Sequence, residues 1–465
     1  MKRNFALVLV VLCLPASDVL GQNNGGGNNN NGNAGGIRID ANGIVTPKFS
    51  EDLTGRLSLQ RRMAVAQQFL PADINRTSKL RNVSLVRLEK EYRRLKEQGK
   101  AIPPEMLYLA GLQRIDYIFV YPDSKDIVIS GPAEGFAPDD LGRVVGLKSR
   151  RPTLRLDDFI VALRTVVKED VIGCSIDPVP ERVLALKRYL QLNSGATDVA
   201  RAQAKYKEMA GVLGMQKIVV FGVPDNSHFA QALVEADIRM KLIAIGLQDP
   251  GLRGFKSHLE FLKPNGNSLQ RWWMIPLYDS LQQSEDGNAY QLVGQRVQML
   301  SEDEEVNARG ERIATANTRV STTAYAKYFT SKFPQLAEAV PAFAELQNLF
   351  DLCIMASIVR EKDLAKRVDW KMDIFLDEDF MELPKADVPK QIQSSYSYKT
   401  SQRMVLGQVS GGVTYRSRNT LNSVPVEQES SGKLKELLEK VGEKKQSGDR
   451  EGHQAEPQKQ TWWWD

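Results

Sequence analysis

The sequence is poor in the residues that build metal sites and cross-links. In 465 residues it has three cysteines and three histidines. No CxxC pair, no HExxH and no EF-hand loop occurs, so nothing in the spacing points to a zinc or calcium centre. No GxxxxGK[ST] loop or complete dinucleotide fingerprint is present, and no GxSxG elbow. No metal and no cofactor is therefore expected. Charge of one sign is also lacking: Lys and Arg total 62 against 57 Asp and Glu, a net charge of +5. Removing Lys2 and Arg3 with a leader would leave about +3, too little to argue for nucleic acid as a partner. No transmembrane span is expected in the mature chain.

What is present begins at the N-terminus. Lys2-Arg3 precedes the apolar run Phe5 to Leu14, Pro15 breaks that run, and Val19-Leu20-Gly21 offers small or aliphatic residues to a signal peptidase. The pattern predicts a secretory signal over residues 1–21 and an exported protein in the periplasm, the cell envelope or the medium. Residues 22–36 are almost all Asn and Gly and read as a disordered spacer. Apolar neighbours make Cys174 and Cys353 most simply two buried thiols, although an oxidising compartment permits a disulfide between them.

Residues 37–110 read as a helical segment. Leu85, Leu88, Tyr92 and Leu95 recur at helical spacing within a predicted helix over 80–98. Residues 111–310 read as an α+β core. A hairpin is predicted from Ile115–Tyr121 and Asp126–Ile129, and a helix from Leu156 with Asp157 and Asp158 near its start. Lys217–Phe221, a helix capped near Ser227, and Leu242–Leu247 read as one strand–helix–strand unit. Further strands are expected at 272–275, 290–293 and 297–300. Residues 311–425 read as helix interrupted near Pro334 and Pro341, then closing strands around Gly411-Gly412. Residues 426–465 read as a mostly disordered tail, with one short helix using Leu434, Leu437, Leu438 and Val441. The fold class is α+β, with mixed or antiparallel sheets and packed helices.

Candidate site residues are weak. A hydrolytic site would have to be assembled from dispersed groups such as Asp116, Glu134, Asp157, His228, Asp237 and Arg239. Each has a structural alternative: capping for Asp157 and Asp158, a helical ion pair for Glu235 and Arg239, a buried Asp–Arg or Asp–Lys pair for Asp237. His228 lies beside the apolar face defined by Phe229, Ala232, Leu233, Ala236 and Met240, so its loss is expected to cost little. Trp462, Trp463 and Trp464 end the tail. Three adjacent indoles are costly to leave in water, so they are expected to dock on an envelope protein or polymer, or back on the body.

Several stretches in order, IDYIFVYPDSKDIVISGPAEGF, LRLDDFIVALR, SHFAQALVEADIRMK, RWWMIPLYDSLQQSEDGNAYQLVGQRVQML and VSGGV, resemble a family of secreted planctomycete proteins carrying a domain of unknown function. The resemblance covers roughly residues 100–415. It implies export and a shared fold, and it assigns no activity or site residue. The combined expectation is a binding or structural component of the cell envelope, with an exported enzyme as the alternative.

Overall fold

A computed structural model describes residues 37–39, 45–47, 55–168, 171–193, 199–262, 270–306, 312–314, 320–399, 404–406, 409–451 and 461–465. The expected signal and spacer lie outside them. Two short strands, β1 (Ile37–Ile39) and β2 (Val45–Pro47), pair first. They are followed by α1 (Arg56–Phe69), β3 (Ser78–Ser84), α2 (Leu85–Glu97) and the single turn α3 (Pro104–Leu107). Next come the hairpins β4 (Tyr117–Tyr121) with β5 (Asp126–Ala133) and β6 (Phe136–Pro138) with β7 (Val144–Gly146). The middle of the chain gives α4 (Leu156–Lys168), β8 (Val171–Pro178), α5 (Pro180–Leu192), α6 (Val199–Leu213), β9 (Met215–Phe221) and α7 (His228–Ala244).

Five strands follow: β10 (Gln270–Leu277), β11 (Ser280–Gln283), β12 (Ala289–Val293), β13 (Arg296–Val306) and β14 (Arg312–Ala314). After them stand α8 (Val320–Ala339), α9 (Pro341–Glu361), α10 (Leu364–Arg367), β15 (Gln391–Gln393), β16 (Ser397–Lys399), β17 (Met404–Leu406) and β18 (Val409–Arg416). The chain closes with α11 (Ser417–Ser423), β19 (Val426–Gln428), α12 (Lys433–Glu451) and β20 (Trp463–Trp464).

Two seven-stranded sheets dominate, in the orders β14-β13-β10-β18-β8-β9-β15 and β19-β11-β12-β4-β5-β3-β20. Among the described residues only β10–β18 and β11–β19 pair in parallel, so the fold is α+β with mixed sheets. Alternation along β4 and β5 explains how the second sheet is covered on both faces. Ile118, Val120, Ile127 and Ile129 join a core that continues through α4, α7 and α9 to Cys174, Ile176 and Trp272 of the first sheet. Phe119 and Val128 point the other way and meet Leu434 and Val441 of α12. Helix α9 is long and apolar enough to span a membrane by length and composition; here it is the buried centre of the fold.

Several elements differ from the expectation. The stretch Leu80–Ser84 is strand, and helix begins at Leu85, where Ser84 accepts a bond from the Arg87 N–H. Leu242–Leu247 is not a strand. It is the last turn of α7 and its stop, with Gly246 at φ 72° and the Leu247 N–H returned to the Leu242 carbonyl at 2.8 Å. That bond closes a Schellman-type end, which needs the left-handed conformation glycine supplies. The strand after α7 is β10, and strand order with pairing senses makes it parallel to β9 in the same sheet.

Pro334 does not interrupt α8. The carbonyl it leaves without a helical donor, that of Thr330, accepts from the Gln295 side chain at 3.0 Å. Cys174 and Cys353 are buried free thiols. The expected disordered tail is corrected in part: residues 433–451 form α12 and Trp463–Trp464 a strand, while residues 452–460 lie outside the described residues. Charged α12 is a poor helix alone, but the outer face of the second sheet gives it a surface on which Leu434 and Val441 are buried.

Candidate functional site

The densest set of charges lies where α4, α7, α9 and the turn before β7 meet. The first turn of α4 supplies Asp157 and Asp158, and Arg155 precedes it. Ser227 caps α7, accepting from the Ala230 N–H, and so fixes His228 as the first helical residue. Glu235 and Arg239 follow on that helix, four apart, and α9 contributes Glu345. Asp139 accepts the Arg143 N–H at 2.9 Å, which folds the turn and aims Arg143 at the helices.

The bonds within this set are short. His228 Nδ1 lies 2.9 Å from Asp158 Oδ2, and its Nε2 lies 3.4 Å from Glu345 Oε1. Arg143 bridges two helices, donating from Nη2 to Glu235 at 2.5 Å and from Nε to Glu345 at 2.8 Å. Arg239 donates to Glu235 at 2.7 Å, and Arg155 to Asp157 at 2.7 Å. Arg143, Arg155, His228 and Arg239 thus meet equal charge of opposite sign on Asp157, Asp158, Glu235 and Glu345.

Electrostatics follow from this enclosure. Burial alone would push the His228 imidazole down, but Asp158 and Glu345 more than reverse it and raise it to about 10. Burial opposes the charge on Glu345, yet Arg143 and His228 hold that carboxyl well below its usual range. Asp157 is lowered in the same way, with Arg155 outweighing burial. Burial also raises Asp158 although His228 opposes it, so the pair holds a proton between them, with both His228 ring nitrogens against carboxylates. In that state it is neither a general base nor a metal ligand. The Asp158–His228 pair resembles two members of a catalytic triad, but a carboxylate stands where a nucleophile would have to be.

Asp237 and Lys241 form a separate pair on the sheet-facing side of α7. Lys241 Nζ is 2.8 Å from Asp237 Oδ2 and donates to the Gly411 carbonyl at 3.3 Å. Burial raises Asp237 to about 6 despite Lys241. Ile176, Gln216, Lys241 and Ile392 line a cavity of about 30 Å³ beside the pair, room for a water molecule. Asp237 and Arg239, two apart on one helix, thus enter different networks. So do the other dispersed candidates. Asp116 meets Arg114 and Arg296, while Glu134 accepts from Gln113 and Ser149. Trp462, Trp463 and Trp464 lie against β3 and α12, distant in sequence from all of these.

Sequence reading missed Arg143, Glu345 and a second buried network, in which Asp351 accepts from Tyr278 Oη at 2.9 Å, Arg296 Nε at 3.1 Å and the Ile115 N–H at 3.1 Å. One signal was available. Glu345, Gln347, Asn348 and Asp351 interrupt an otherwise apolar helix, and buried polar residues require partners. A cleft of about 360 Å³ opens beside α4, lined by Val161, Arg164, Thr165, Lys168, Val223 and Glu378. Its cations are engaged: Arg164 holds the carbonyls of Phe375, Asp377 and Met381, and Lys168 pairs with Glu378. Among the described residues no group of three or more His, Cys, Asp or Glu is placed to hold a metal.

Residues 174–258 match a family model described as a protein of unknown function, DUF1598. The match runs from Cys174 in β8 to His258. It includes His228, Glu235, Asp237, Arg239 and Lys241, but not Asp158 and Glu345, which flank His228, nor Arg143, which pairs with Glu235. No curated protein and no solved structure matches the chain.

Proposed function

We propose that the protein is an exported binding or structural component of a bacterial cell envelope, acting in the periplasm or outside it. Export is supported by Lys2-Arg3, the Phe5–Leu14 run and the Asn/Gly spacer, together with the resemblance to secreted planctomycete proteins. The observation that carries the non-catalytic reading is His228 held with both ring nitrogens against carboxylates, those of Asp158 and Glu345. Of the charges that sequence reasoning offered to an active site, His228 ties α4, α7 and α9 together, while Asp116, Glu134 and Asp237 are held in separate networks. The alternative, an exported hydrolase, is favoured only by the cleft beside α4.

Capture on isolated native envelope material separates the two. The binding reading expects saturable retention of the wild-type chain, with His228→Gln retained equally if it remains folded. Hydrolytic turnover that disappears in a folded His228→Gln variant would overturn it.

A further inference from the structure

The segment Thr461–Asp465 occupies a slot that matches it group by group. Trp463 and Trp464 pair antiparallel with Val83 and Asn82 of β3. The Ser84 N–H donates to the Trp462 carbonyl at 2.8 Å, and Asn82 Nδ2 to the Trp464 carbonyl at 3.2 Å. The Trp462 ring is buried in the main core, and Trp464 packs with the α12 cluster, its indole N–H donating to the Val441 carbonyl at 3.3 Å. Beneath the strand lies Arg81, whose side chain is 0% exposed. Its guanidinium is held by the carbonyls of Ile74, Asp73, Arg76 and Ala110, and it sits 5.0 Å from the Trp463 ring. Its Nε and Nη2, the latter shared with the Asp73 and Arg76 carbonyls, grip the Asp465 carboxylate at 2.8 Å and 2.9 Å.

We propose that the edge of β3 is a receptor slot for an extended strand of adjacent tryptophans followed by an acidic residue, and that a second copy of this chain supplies that strand by exchange. Three physical reasons support this. A buried arginine oriented by four carbonyls selects a planar carboxylate, and leaving it without a countercharge is costly. A bare β3 edge would expose a row of unpaired backbone groups, which another strand can satisfy by β-augmentation. Residues 452–460 separate α12 from the strand, and a chain of that length can reach up to about 30 Å, so the same contacts can form within or between copies.

The test uses the full chain and a fluorescein-labelled peptide, Lys-Gln-Thr-Trp-Trp-Trp-Asp. Asp465→Asn weakens the chain's own strand and leaves the slot intact. The proposal expects this variant to capture the peptide at least tenfold more tightly than the wild type does. It also expects an Asn-ended peptide to bind at least tenfold more weakly. In sedimentation, concentrated wild-type chain should form a two-chain species that excess peptide dissolves. If Asp465→Asn does not fold, Trp464→Ala serves, because that ring belongs to the strand and not to the slot. Failure of a folded variant to capture the peptide would overturn the slot. Capture by a chain that stays monomeric at several hundred micromolar would overturn the second copy as its occupant.

Discussion

Replacing His228 by alanine deletes the cation between two carboxylates whose side chains are 4% and 6% exposed. Arg155 remains 3.9 Å from Asp158 and Arg143 remains on Glu345, but the imidazolium position becomes a void. Removing one partner of a buried pair costs about 3–5 kcal/mol, because the other charge stays buried. The titration points the same way, because the flanking carboxylates raise His228 and the folded state prefers its charged form. This replaces the sequence-based expectation of a loss within about 1 kcal/mol, which assumed a solvated imidazole. It puts His228→Ala level with Leu233→Ala, a core truncation of about 2–5 kcal/mol.

The sign with pH is fixed by the direction of the shift. A group whose folded pKa is raised contributes fully below its unfolded value and loses that contribution as pH rises through the folded value. The gap between wild type and His228→Ala should be full at pH 6 and close toward pH 10. Denaturant melts of both proteins across that range measure it. A gap under ~0.5 kcal/mol at pH 6 would refute the reasoning, since surface substitutions stay within that margin.

Three further outcomes follow. Asp237→Ala should cost about 3–5 kcal/mol by stranding Lys241, whereas the double change Asp237→Leu with Lys241→Met should be near neutral in the same melts. Burial lowers His258 to about 4, so its contribution is lost as pH falls from 6.5 through 4; His258→Phe, which suits its aromatic neighbours Trp272 and Tyr325, should flatten that acid limb. Deleting Thr461–Asp465 should lower the melting temperature, because Arg81 loses its countercharge and β3 its edge partner; an unchanged melt would show that the strand is not docked.

What was legible in the sequence was local. The β4–β5 hairpin follows from β-prone runs around Pro122–Lys125, and the start of α7 from Ser227. Leu242–Leu247 was ambiguous because a short apolar run fits a strand or a buried helix end equally, and Gly246 settles it only through its backbone conformation. The charge cluster was half legible. Glu235 and Arg239 are four apart on one helix, but His228 and Asp158 are 70 positions apart and Arg143 and Glu345 are 202 apart. No spacing rule connects such residues, because only packing of α4, α7 and α9 brings them together. The tail misled for the opposite reason. Its composition cannot fold alone, and its structure is borrowed from the outer face and edge of a sheet whose contacting residues Arg81 and Tyr121 stand more than 300 positions earlier.

The most direct test of an exported, non-catalytic role is cell fractionation combined with N-terminal sequencing of the native protein. The account predicts the chain outside the cytoplasm, beginning near Gln22 and held with envelope material. A cytoplasmic protein that keeps Met1 or Phe5 would contradict it.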